Sequence, residues 1–174
     1  MGIPLGGTCL ADQADGRETW RLSYRIPRGW VSDREGAGKR ALSALLMPEG
    51  TNLDSAEAVI TIAFQGKRTS PFRQPSLKGF FMAEMRKLLL VFPDLKSESW
   101  KPSSLEATSL DVASLEISGV TPGPLRVVMI DAGDGYYSIH LSVRKHEDLE
   151  RPDVRTFFES LLLLGPIMEG HEGS

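Results

Sequence analysis

Leu125 to Ala132 and Tyr136 to Lys145 are two strand-like runs that flank Gly133-Asp134-Gly135. Asp-Gly between two such runs is the strongest short-range hairpin signal, because a tight turn between strands needs residues that accept a positive φ. A hairpin here commits the chain to antiparallel pairing. With Asp134 and Gly135 as the two loop residues, Gly133 pairs with Tyr136, Ile130 faces Ile139 and Val128 faces Leu141. On the opposite face Met129 lies beside His140, and Asp131 beside Ser138.

Further strands follow from the same patterning. Trp20, Leu22, Tyr24 and Ile26 alternate with Arg21, Ser23 and Arg25, the period of a half-buried strand. Pro27-Arg28-Gly29-Trp30 is a turn, and Val31 opens a second strand. Ser32 to Arg40 reads as a charged loop, and Ala41 to Met47 as a third strand. Val59 to Phe64 is a short β-branched run expected to be a fully buried central strand. Asp111 to Ser118 alternates again, with Ala113, Leu115 and Ile117 on one side.

Two helices are expected. Ser76 can cap the first, over about 76–92, where Leu77, Phe80, Phe81, Met85, Leu88, Leu89 and Phe92 recur at spacings of three and four. Pro93 stops it. The second, over 152–164, opens on Pro152 and carries Val154, Phe157, Phe158, Leu161 and Leu162. Strands in two antiparallel groups, each closed by a helix, predict an α+β protein: an αβα sandwich around a mostly antiparallel sheet. Its boundaries are a flexible arm over 1–18, one domain over 19–164 and a tail over 165–174.

Composition narrows the function. The 174 residues fit one ordinary domain, and a net charge of −3 argues against a nucleic-acid partner. The single cysteine, Cys9, excludes an internal disulfide. The longest aliphatic runs, Leu88 to Val91 and Leu161 to Leu164, fall far short of the roughly 20 residues of a membrane span. Read from Met1, the chain is expected to be cytoplasmic; with an upstream leader it would be an exported or lipid-tethered envelope protein.

Ile26-Pro27-Arg28-Gly29-Trp30 at a strand end, the central helix from Leu77 to Val91, and the hairpin followed by Phe157-Phe158-Glu159-Ser160-Leu161 occur together. This combination resembles the PsbP-like superfamily, which includes the photosystem PsbP proteins, bacterial DcrB-like proteins and a group of secretion-effector chaperones. The resemblance spans roughly residues 20–164. It implies an αβα sandwich and a non-enzymatic accessory role, usually the binding of another protein, and it brings no catalytic residues with it.

Chemistry-bearing residues are sparse. His140 and His146 stand about 20 Å apart along a continuous strand, too far to share a metal. No metal, cofactor or nucleophilic constellation is expected, and Gly36-Ala37-Gly38-Lys39-Arg40 lacks the spacing of a phosphate loop. Partner-binding candidates are the basic loop of Lys67, Arg68 and Arg73 with Phe72 among them, together with Trp30 and Trp100. The alternative is a small hydrolase or ligand-binding protein using a pocket near Asp131, Asp134 and His140; turn chemistry alone accounts for Asp134 and Gly135. The expected function is that of an accessory or adaptor protein that binds a protein partner through a sheet edge or a helix–sheet groove.

Overall fold

The computed structural model describes residues 8–10, 20–67, 76–93, 100–102, 112–119 and 123–165. In chain order the elements are β1 (Thr8–Leu10), β2 (Arg21–Arg25), β3 (Trp30–Ser32), α1 (Arg34–Lys39), β4 (Ala44–Pro48), β5 (Ala58–Gly66) and α2 (Leu77–Val91). They continue with β6 (Trp100–Pro102), β7 (Val112–Ile117), β8 (Leu125–Asp131), β9 (Gly135–Val143), a 3-10 turn over His146–Glu150, α3 (Pro152–Glu159) and β10 (Leu162–Leu164). Among the described residues seven strands form one sheet in the order β3-β4-β5-β9-β8-β7-β6, and three form another, β1-β2-β10. Every described pairing is antiparallel. The α+β sandwich of the sequence reading is therefore the observed architecture.

The large sheet is covered on both faces. On one, α3 and β2 close the main core: Val154, Phe157, Phe158, Leu22 and Tyr24 pack on Leu46, Ile60, Ile62, Val128, Ile130, Ile139 and Leu141. Pro152 sits in the first turn of α3, where its missing N–H costs nothing. The three buried side chains of α3 each contribute about 1.5–3 kcal/mol of hydrophobic stabilisation. On the other face two separate clusters form. Phe80 and Met85 of α2 lie on Leu115, Ile117, Leu125, Val127, Met129 and Tyr136. Ala37 of α1 lies on Leu45 and Met47.

Several elements differ from the sequence reading. Residues 32–40 are not a loop throughout, since α1 lies within them. Asp33 accepts the Gly36 N–H at 2.8 Å as its cap, and a Cβ on Gly36 would stand 2.2 Å from the Asp33 carboxylate. The cap and the burial of Ala37 outweigh two low-propensity glycines. The second helix ends at Glu159 rather than 164. The Ser160 hydroxyl accepts the Arg25 N–H at 2.8 Å and donates to the Phe157 carbonyl at 2.6 Å, and the chain then pairs with β2, Leu162 opposite Ser23. A run of four leucines carries no period that separates helix from strand. The arm is not wholly unstructured either, because Thr8–Leu10 pairs with β2. The tail expected over 165–174 lies outside the described residues apart from Gly165.

The hairpin is present with its faces as expected and its register moved by two residues. Asp131 pairs with Tyr136, Ile130 with Tyr137 and Val128 with Ile139. Gly133, at φ 82°, takes the left-handed position, and the Asp131 carboxylate accepts its N–H at 2.9 Å. That longer turn uses up the two residues.

Candidate functional site

Among the described residues, nothing closes the middle of the face shared by α1 and α2. Register defines one row straight across it: Leu45 on β4, Thr61 on β5, His140 on β9, Val127 on β8 and Leu115 on β7. Its apolar ends lie under the two helices, in the clusters of Leu45 with α1 and of Val127 and Leu115 with α2. Its polar middle, Thr61 and His140, lies between them. The next row places Ser138 between Ala63 on β5 and Met129 on β8. Above these rows is a groove of about 420 Å³. Leu42 bounds it beyond α1, Phe80, Glu84 and Lys87 bound it on α2, and Thr61, Ala63, Gln65, Ser138 and His140 form its floor. The volume lies in the range of about 300–1,000 Å³ usual for ligand seats.

β5 was expected to be buried on both faces. Its groove-facing residues Thr61, Ala63 and Gln65 are only half-buried, because neither helix reaches over them.

The floor is polar, and two of its groups are joined to each other. A hydrogen bond of 3.0 Å joins Ser138 Oγ and His140 Nε2, and Ser138 is buried. Burial holds the His140 imidazole below its ordinary pKa, and the Glu84 charge opposes that only in part, so the ring is uncharged at neutral pH. Glu84 and Lys87, one turn apart on α2, pair with each other at the rim. Phe80 stacks on Tyr136 with ring centroids 4.4 Å apart, which anchors α2 beside the groove.

The candidates chosen from sequence fall in different places. Trp30 is not a surface anchor: it is 8% exposed, lies in the main core, and its indole N–H donates to Asp153 at 2.9 Å. A tryptophan beside a turn closes the core end, with its N–H supplied by α3. Lys67 is ion-paired with Asp131 at 3.0 Å and stands 4.8 Å from the centre of the Tyr136 ring. Burial alone would lower its ammonium; the hydrogen bond and charge of Asp131 outweigh this and raise it. Arg68, Phe72 and Arg73 lie outside the described residues. Trp100 opens the edge strand β6, opposite Ile117.

Asp131, Asp134 and His140 do not converge. Asp131 sits opposite Tyr136, four residues along β9 from His140, and is occupied by Lys67 and the Gly133 N–H. Asp134 is exposed in the turn, where its carbonyl accepts the Lys67 N–H. The carboxylate that faces His140 is Glu84. Among the described residues no three or more His, Cys, Asp or Glu side chains form a metal-binding group. No described helix is long and apolar enough to cross a membrane.

Sequence reasoning missed Thr61, Ser138, Glu84 and Lys87. The signal available was the polar alternation of Ser138, His140 and Ser142 on a strand whose other face is Ile139, Leu141 and Val143. Polar residues at every second position of an inner strand mark a place where the covering layer is open. No protein-family model and no curated protein matches the chain.

Proposed function

We propose that this chain is a non-enzymatic binding protein that seats a segment of a protein partner in the groove between α1 and α2. The observation that carries the reading is the row Leu45–Thr61–His140–Val127–Leu115, apolar where the helices cover it and polar where they leave it open. The resemblance to the PsbP-like superfamily, with its accessory, protein-binding roles, supports the same reading.

Ser138 and His140 also have the spacing of a nucleophile and its base. The surroundings favour binding over acyl transfer. β9 pairs with β5 on one side and β8 on the other along its groove stretch, so the sheet ladder takes up the backbone N–H groups of Ser138 and His140. A tetrahedral oxyanion formed at Ser138 would find no spare amide among them.

The test is site-specific photocrosslinking in the source cells. Benzoylphenylalanine replaces Lys87 at the groove rim or Arg155, an exposed position on α3 across the sheet. A single adduct from position 87 that is absent from 155, and that Ala63→Phe abolishes without lowering the melting temperature, supports the reading. Equal adducts from both positions, or indifference to Ala63→Phe, would sink it.

A further inference from the structure

We propose that the groove selects an uncharged anchor group: an apolar ring or branched body that ends in a single hydroxyl or amide. The inference rests on the groove being the binding seat, and it adds the chemistry of what sits there.

Charge argues first. Among the described residues Glu84 and Lys87 are the only formal charges on the lining, and they neutralise each other on the α2 rim. A charged ligand head would be desolvated without gaining an unpaired counter-ion, a poor exchange at a partly buried site. The floor argues second. Thr61 and Ser138 present hydroxyls and His140 an uncharged imidazole, groups that can donate or accept but carry no net charge. The walls argue third. Leu42 and Phe80 offer apolar surface around that floor, and Ala63 adds to it from within, matching a body that is apolar up to its head. Such a group could be a side chain of a partner, tyrosine among them, or the head of a small molecule; the chemistry is the same.

The experiment is an NMR titration of the full chain with three rings of one shape: 4-methylphenol, toluene and 4-methylbenzoate. The reporters are the His140 ring nitrogens and the Thr61 and Ser138 amides. The expected result is that 4-methylphenol moves these signals and binds about three- to tenfold more tightly than toluene, the worth of one hydrogen bond, with 4-methylbenzoate weakest. Thr61→Val removes a floor hydroxyl while keeping its shape, and should narrow the gap between phenol and toluene. Tightest binding of 4-methylbenzoate, no preference for the phenol, or no movement at His140 with any probe would overturn the inference.

N-acetyltyrosinamide separates the two sources. Binding at least as tight as 4-methylphenol supports a side-chain anchor, and binding of 4-methylphenol alone supports a small molecule; each bears out the uncharged class. The two proposals also fail separately. A groove-specific crosslinked partner with no ordering among the probes would remove this inference and leave the protein-binding function. Ordered probes with no crosslinked partner would do the reverse.

Discussion

The Trp30 indole N–H donates to the Asp153 carboxylate across 2.9 Å, joining edge strand β3 to α3 over 123 residues of chain. Asp153 also takes Arg151 Nη2 at 2.9 Å and the Val154 N–H at 2.9 Å. Burial would raise its pKa, but the Arg151, Trp30 and Val154 hydrogen bonds outweigh that and hold it below the ordinary value. The carboxylate is therefore a junction between the strand, the turn before α3 and the helix. Trp30→Phe should keep the ring packing and lose the donor, at a cost of about 1 kcal/mol. Trp30→Ala should cost about 3–5 kcal/mol through the cavity it leaves. Urea unfolding checks both. Equal costs would mean that the ring contributes nothing beyond its N–H.

Arg126 offers a second contrast on the same face of the sheet. It is 6% exposed, bonds Glu116 and Glu150 through Nη2, donates from Nη1 to the Leu149 carbonyl at 3.2 Å, and lies 5.6 Å from the Phe158 ring centre. Arg126→Ala should cost about 2–3 kcal/mol, below the full cost of breaking a dry pair because both glutamates keep contact with water. Glu150, 62% exposed, should cost under about 1 kcal/mol as Glu150→Ala. A thermal melt in which the two variants fall together would contradict this division.

How far these relationships could be read in advance depends on whether they are local in sequence. The hairpin, the Ser76 cap and the apolar face of α2, apart from the exposed Leu89, were legible because each is decided by residues within one or two turns of one another. α1 was not, since the glycines of Arg34–Lys39 hide a helix that Asp33 and the packing of Ala37 hold. The groove was half legible. His140 is visible as a polar residue on a strand face, but sequence proximity groups it with Asp131 and Asp134. Its actual neighbours come from 79 residues away on β5 and 56 away on α2, by subtraction of 61 and 84 from 140. Only the β5–β9 register brings Thr61 opposite it, and nothing in either strand alone states that register.

Gly135 is a position where space, not φ, decides the residue. A Cβ there would stand 2.1 Å from Phe64 Cζ and 2.8 Å from the Gln65 carbonyl, where β5 crosses the hairpin end. Gly135→Ala should therefore destabilise by about 1–3 kcal/mol as an overpacking change. Pairing it with Phe64→Leu should recover part of the loss and not all, because the ring can be removed while the backbone oxygen cannot. A double-mutant cycle measures the coupling. Strict additivity would show that the clash is relieved by movement elsewhere.

His140 should make the protein acid-sensitive. The groups that face it are Ser138 on β9, Thr61 on β5, Val127 on β8 and the Glu84–Lys87 pair on α2. Burial lowers its pKa in the fold, and the Glu84 charge offsets that only partly. Between the lowered folded value and the unfolded one of about 6.5, the unfolded chain binds more protons, so stability rises with pH across that window. The penalty is absent above the unfolded value and complete below the folded one. Acidification from about pH 7.5 to about pH 5 should therefore cost the native protein more stability than His140→Gln, which carries no titrating ring but retains hydrogen-bonding capacity toward Ser138. Urea midpoints across this range, on both proteins, provide the measurement. Parallel curves would place the His140 titration outside the window; a steeper native curve would locate the half-buried, uncharged imidazole on which the chemistry of the groove floor depends.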